Sequence, residues 1–175
     1  VGRGGTVRAR ARVAVPSLPS PEQSISIAVD AVQELRAAHP EVTRIVGVGA
    51  AVPGLAQPAE GVITRSPHLD WHGVDYAAML ATAFSAPAFI DNDANVGLIA
   101  EAAFGAGREF STYFYMNGSA SGIGGALIAA GNLLRGADGY AGELGHTVVD
   151  SAGPLCHCGR RGCLETEVQF ARLKA

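Results

Sequence analysis

The chain has no apolar run long enough to span a bilayer, and no charged-then-apolar leader opens it, so a cytoplasmic location is expected. It also has no basic excess. Thirteen Lys and Arg stand against 16 Asp and Glu, and the electrostatic footprint of a nucleic-acid surface is missing from these residues. Internal repeats and low-complexity linkers are absent. Cysteine is scarce, with three in 175 residues, Cys156, Cys158 and Cys163, all close together. An odd count at such short spacing reads poorly as a disulfide framework and well as thiolates around a metal in a reducing compartment.

What the chain does have is apolar content, 48% of 175 residues, enough to bury a core in one domain or in two small lobes. It opens on a turn and an alternating stretch and stops inside a helical pattern ("ETEVQFARLKA"), which leads us to expect a piece of a longer protein. Over residues 6–15, Val7, Ala9, Ala11, Val13 and Val15 alternate with Arg8, Arg10 and Arg12, the pattern of a half-buried strand with a solvated arginine face. "SPEQ" at 20–23 reads as a capping box with proline at the first helical position. The helix it opens carries Ile25, Val29, Val32 and Leu35 on one stripe until His39-Pro40. Further on, "RIVGVGAAVPGLA" is a strand running into a loop, "VDYAAMLATAF" a short helix capped by Asp75, and "APAFI" a buried strand. "ANVGLIAEAAFGAG" is a helix, and "STYFYMNG" and "GIGGALIAAGN" are the strands of a hairpin. Strands alternating with helices predict an α/β fold. Residues 131–145 form a longer irregular stretch than a connector needs, and such loops tend to carry function.

His146 joins the three cysteines in the spacing H-x9-C-x-C-x4-C. This Cys₃His set suits a closed, structural, tetrahedral zinc site, and the interleaved glycines supply its turns. His157, between two cysteines, is a substitute for His146 in that set. A metal-bound imidazole keeps one ring nitrogen free in a fixed direction. Glu143 lies beside it if the segment turns helically, and an acid next to an N–H donor suits a polyol such as a sugar.

"IDNDANVG" places Asp91, Asn92, Asp93 and Asn95 where a buried strand meets a helix, at the end of a strand where α/β folds gather ligands. One of these residues is expected to cap the helix. Asp93 is the candidate general base toward an attacking hydroxyl, with Asn92 beside it. "NGSASGIGGA", with Ser121, Gly122 and Gly124, is a glycine-rich turn able to cradle phosphate through backbone N–H groups.

Taken in order, "DNDAN", "GIGGALIAAGNLLRGADGYAGELGH" and "GPLCHCGRRGCLE" resemble the consecutive signatures of the ROK family, bacterial sugar kinases and sugar-responsive repressors built on one domain. The resemblance runs from about residue 6 to 168. It implies a partial actin-like ATPase (ribonuclease H-like) fold, with a first α/β lobe over 1–110 and the start of a second lobe, carrying a structural zinc loop, over 111–175. It further implies Asp93 as catalytic base and Asn92, Glu143, His146 and Glu165 as sugar-hydroxyl ligands, with Gly54 in a loop closing over the sugar. His146, Cys156, Cys158 and Cys163 would hold Zn²⁺, and a homodimer is implied as well.

Two departures bear on function. The Asp-x-Gly-x-Thr phosphate turn of the family's kinases is absent from these residues, and Ala120-Ser121-Gly122 stands where the kinases carry Gly-Thr-Gly. The first expectation is therefore the effector-binding part of a ROK transcriptional regulator, meeting DNA only through a domain outside these residues. The alternative is part of an ATP-dependent hexose kinase, using ATP and Mg²⁺ with Asp93 as base, although this piece alone is expected not to turn over ATP. A zinc-stapled interaction domain is the third reading.

Overall fold

The structure, a computed structural model, describes residues 1–119, 122–137 and 139–168. Within these the chain is α/β, and it forms two compact units divided between Asn92 and Asp93.

The first unit begins with helix α1 (Pro21–Ala38). Ser20 accepts from the Gln23 backbone N–H while the Gln23 side chain accepts from the Ser20 N–H, so the expected capping box forms in both directions. Ile25, Val29, Val32 and Leu35 are all half-buried. Strand β1 (Val48–Val52) leads into a three-stranded antiparallel meander of β2 (Leu55–Gln57), β3 (Val62–Ser66) and β4 (Trp71–Val74). Helix α2 (Tyr76–Phe84) then returns the chain to β5 (Ala88–Asn92), which pairs parallel with β1 in the register Val48↔Ala88 to Val52↔Asn92. Asp75 occupies the α2 N-cap position but makes no side-chain cap bond. Val52, Ile63, Trp71, Tyr76, Leu80 and Ile90 form the core. The Trp71 indole N–H donates to the Pro19 carbonyl at 3.1 Å, and the Tyr76 and Ser24 hydroxyls lie 2.8 Å apart, so two buried aromatics also anchor the start of α1.

Two sequence expectations fail in this unit. Residues 6–15 enter no strand, and Val7, Val13 and Val15 are exposed. Alternation prepares a segment for pairing but cannot supply the neighbouring strand, and no described residue pairs with this one. The buried strand "APAFI" is buried on one face only: Ile90 is 3% exposed and Phe89 70%.

The second unit opens with helix α3 (Asp93–Phe104) and continues as a sheet of β6 (Tyr113–Ser119), β7 (Gly122–Ala129) and β8 (Asn132–Leu133), all antiparallel. Ala94 and Leu98 of α3 pack on Ala126 and Ile128 of β7. That burial groups α3 with this sheet and puts the division between units earlier in the chain than residue 110. A 3₁₀ turn (Leu144–His146) and the short helix α4 (Leu164–Glu167) flank the cysteine loop. Among the described residues no helix is long and apolar enough to cross a membrane.

Candidate functional site

The cysteine loop is a knuckle held by its own backbone. Cys156 N–H donates to the Arg160 carbonyl at 2.7 Å, Gly162 N–H to Pro154 at 2.8 Å, and Leu164 N–H to Thr147 at 2.9 Å. These bonds carry Cys163 to the base of α4 and bring Cys156 and Cys158 to the same point as His146. One ring nitrogen of His146 and the Sγ atoms of Cys156, Cys158 and Cys163 all lie within 4.8 Å of one another. His146 Nδ1 is 3.5 Å from Cys156 Sγ, and Cys158 Sγ is 3.6 Å from Cys163 Sγ. A tetrahedral zinc with ordinary bond lengths requires S···S edges of about 3.8 Å and S···N edges of about 3.5 Å. Donor types and spacings therefore fit Zn²⁺ with four protein ligands.

The thiols differ sharply in environment. Burial pushes Cys156 up to about 12, and burial likewise raises Cys163. The Arg160 backbone N–H lowers exposed Cys158.

Glu143 occupies the N-cap position of the 3₁₀ turn, which brings its Oε2 to 3.9 Å from His146 Nε2. The ring thus has Nδ1 toward the Cys156 sulfur and Nε2 toward a carboxylate. Burial raises the Glu143 carboxyl above the ordinary glutamate range; Glu165 and Asp93 add to the rise, while His146 and His157 oppose it. Asp93, at the first position of α3, accepts from the Ala94 N–H at 3.0 Å and belongs to the same electrostatic neighbourhood.

Glu165 sits in a more enclosed place than a surface sugar ligand needs. Its side chain is 8% exposed, and Oε1 lies 3.2 Å from Cys156 Sγ, 3.6 Å from His146 Nδ1 and 3.1 Å from His157 Nδ1. His157, considered from sequence only as a substitute ligand, in fact turns toward the same centre. His146, His157 and Glu165 make a second close donor group. The one sequence signal for this was its position between two cysteines.

Of the glycine-rich turn, Ser121 lies outside the described residues. Gly122 begins β7, and Gly124 stands inside the ladder opposite Asn117, whose side-chain oxygen occupies the space a Cβ at 124 would take.

In the first unit, Gly54 has φ +125°, and a Cβ there would lie 2.5 Å from the Arg65 carbonyl oxygen, so only glycine fits. The Gly54 carbonyl accepts from the Asn92 amide at 2.9 Å, joining the end of β1 to the end of β5. Asp91 is buried and accepts from the Asn92 N–H at 2.8 Å.

The chain is 35% identical to the xylose repressor of Bacillus spizizenii over 147 residues, 83% of this chain and 38% of that protein. It is 42% identical to the glucokinase of Thermotoga maritima over 121 residues, 69% of this chain and 37% of that protein. Its structure is similar to that of a ROK glucokinase from Streptomyces griseus, solved with glucose and AMPPNP, with a TM-score of 0.83 and 28% identity, covering 99% of this chain and 53% of that one. The chain thus spans 37–38% of the length of these two curated relatives. The ROK family model matches residues 1–169, nearly the whole chain, and the chain belongs to the ROK family.

Proposed function

We propose that this chain is the sugar-binding part of a ROK transcriptional regulator, with Glu143, His146 and Glu165 as one wall of the sugar site. The observation that supports the reading is the His146 ring, with Nδ1 at Cys156 Sγ within a cluster of three thiols and Nε2 toward Glu143. An imidazole N–H beside a carboxylate matches the paired donor and acceptor character of a sugar hydroxyl. Zn²⁺, when bound, supplies a rigid anchor and no chemistry, because four protein donors close its coordination. His146 then donates from Nε2, Glu143 accepts, and the neighbouring Asp93 accepts from a further hydroxyl. Asn92 and Gly54 are proposed as sugar contacts on the family resemblance alone. Sugar binding would change operator affinity only through different affinities for two states of the whole regulator. A cytoplasmic homodimer belongs to the same reading, with DNA contacted by another part of the protein. The proposed two-lobed actin-like architecture is the family's own.

Similarity to the glucokinase supports a second reading, an ATP-dependent hexose kinase in which Asp93 takes the proton of the attacking hydroxyl, Gly122, Gly124 and Ser121 meet phosphate, and ATP arrives with Mg²⁺. Two measurements on the full-length protein test the proposal. Calorimetry with D-xylose and D-glucose should give binding that Glu143→Gln weakens at least tenfold, and no binding of either sugar or related hexoses sinks both readings. A coupled assay with ATP should show no turnover for the regulator, whereas turnover abolished by Asp93→Asn establishes the kinase.

A further inference from the structure

His157 takes no part in the ligand set proposed above, yet its position around Glu165 gives it work. We infer that His157 is a positioning residue that holds the Glu165 carboxylate in place beside the metal centre; the inference rests on the sugar-binding reading of that wall.

Among the described residues, Glu165 Oε1 is approached by Cys156 Sγ at 3.2 Å, His146 Nδ1 at 3.6 Å and, nearest, His157 Nδ1 at 3.1 Å, which lies farther from Cys156 Sγ, at 3.9 Å. Without a metal, the Cys156 thiol can donate to the carboxylate. Once Cys156 and His146 bind an ion, the thiol has lost its proton and His146 Nδ1 has committed its lone pair, so neither can donate. The sulfur is then an anion next to a carboxylate oxygen, and three thiolates leave the centre with an excess of negative charge. Of the three neighbours, His157 alone still offers an N–H. Its ring stands edge-on to that of His146, with centroids 4.9 Å apart and planes at 77°, which presents Nδ1 to Oε1.

The other carboxylate oxygen is directed elsewhere. Glu165 Oε2 lies 2.5 Å from where a Cβ on Gly122 would stand, so the absence of a side chain at 122 leaves room for it. One oxygen is thus held on the metal side by His157 and the other is turned to the start of β7. Loss of the N–H would leave the carboxylate facing an anionic sulfur, and it would rotate or withdraw. His157 is 49% exposed, so it has little share in any core, and its replacement should leave the knuckle folded.

The test uses zinc-loaded full-length protein, with affinities for D-xylose and D-glucose from calorimetry and metal content from elemental analysis. His157→Ala should weaken sugar binding about tenfold, the low end for partners of metal-site residues, while about one zinc per chain is retained. His157→Asn, whose amide N–H sits near the position of Nδ1–H, should restore affinity to within about threefold of the parent. In a Glu165→Gln background His157→Ala should cause no further loss. Unchanged affinity in His157→Ala, an asparagine variant no better than alanine, or zinc lost in step with affinity would each overturn the inference. A second readout needs no sugar. Long-range ¹H–¹⁵N spectra of the zinc-loaded protein should show His157 protonated at Nδ1, with that signature changed by Glu165→Gln; protonation at Nε2 alone refutes the positioning role. An intact Nδ1–H signature in a protein that binds no sugar would instead sink the proposed function and leave the His157–Glu165 contact standing.

Discussion

The meander of the first unit and the knuckle of the second are both short, turn-rich and wound around a small centre, but different forces hold them. Around the meander, Ile63 and Trp71 bury against Val52, Tyr76, Leu80 and Ile90, an apolar cluster that would fold without any ion. Around the knuckle Val148, Val149 and Leu155 are exposed and Leu164 only half-buried, while the buried side chains are Cys156, Cys163, Glu165 and Thr166. A segment that buries thiols and a carboxylate in place of hydrocarbon has little hydrophobic stabilisation of its own, and the proposed metal would supply what is missing.

The sharpest way to break the comparison is to remove the metal. Cys163→Ser, or a strong chelator, should abolish zinc binding and strip hydrogen-exchange protection from residues 147–167. Free energies of metal-coupled folding reach about 10–16 kcal/mol in zinc-finger peptides, so this is the largest effect expected. Protection in β1, β3 and β5 should persist, and a knuckle equally protected without metal would refute the contrast.

Next comes the apolar side. Ile63→Ala removes a fully buried side chain and should cost about 2–5 kcal/mol in urea denaturation, with zinc content unchanged. Gly54→Ala forces a Cβ against the Arg65 carbonyl at a positive φ and should cost about 1–3 kcal/mol, again leaving the metal in place. The smallest effect is at the edge of the core, where Ser20→Ala removes one arm of the α1 capping box and should cost about 1 kcal/mol. A zinc deficit in any of these three variants would show that the two regions are coupled.

Legibility from sequence followed the range of the interaction. The α1 cap could be read because its partners lie three residues apart, and the β6–β7 hairpin because its strands follow one another closely in the sequence. The four donors of the knuckle were legible because cysteine and histidine at short spacing have few other uses. The meander of β2, β3 and β4 was missed altogether: its strands are short and a bulge between Leu55 and Ala56 breaks the period-2 signal. Residues 6–15 mislead in the opposite sense, carrying a strand pattern with no described partner. Glu165 entered only through the family resemblance; its burial was not legible, and neither was the approach of His157.

By itself, then, the sequence determined the chemistry on offer: three thiols, an imidazole, carboxylates, and glycine at the turns. Tertiary structure alone decided the geometry among them, which ring nitrogen of His146 meets sulfur and which meets Glu143, and that Glu165 lies against Cys156, His146 and His157. The physical reason is that residue types and local turns are encoded over a few positions, whereas the facing of side chains depends on backbone bonds such as Cys156 to Arg160 and Leu164 to Thr147, whose joint closure no short stretch of sequence contains.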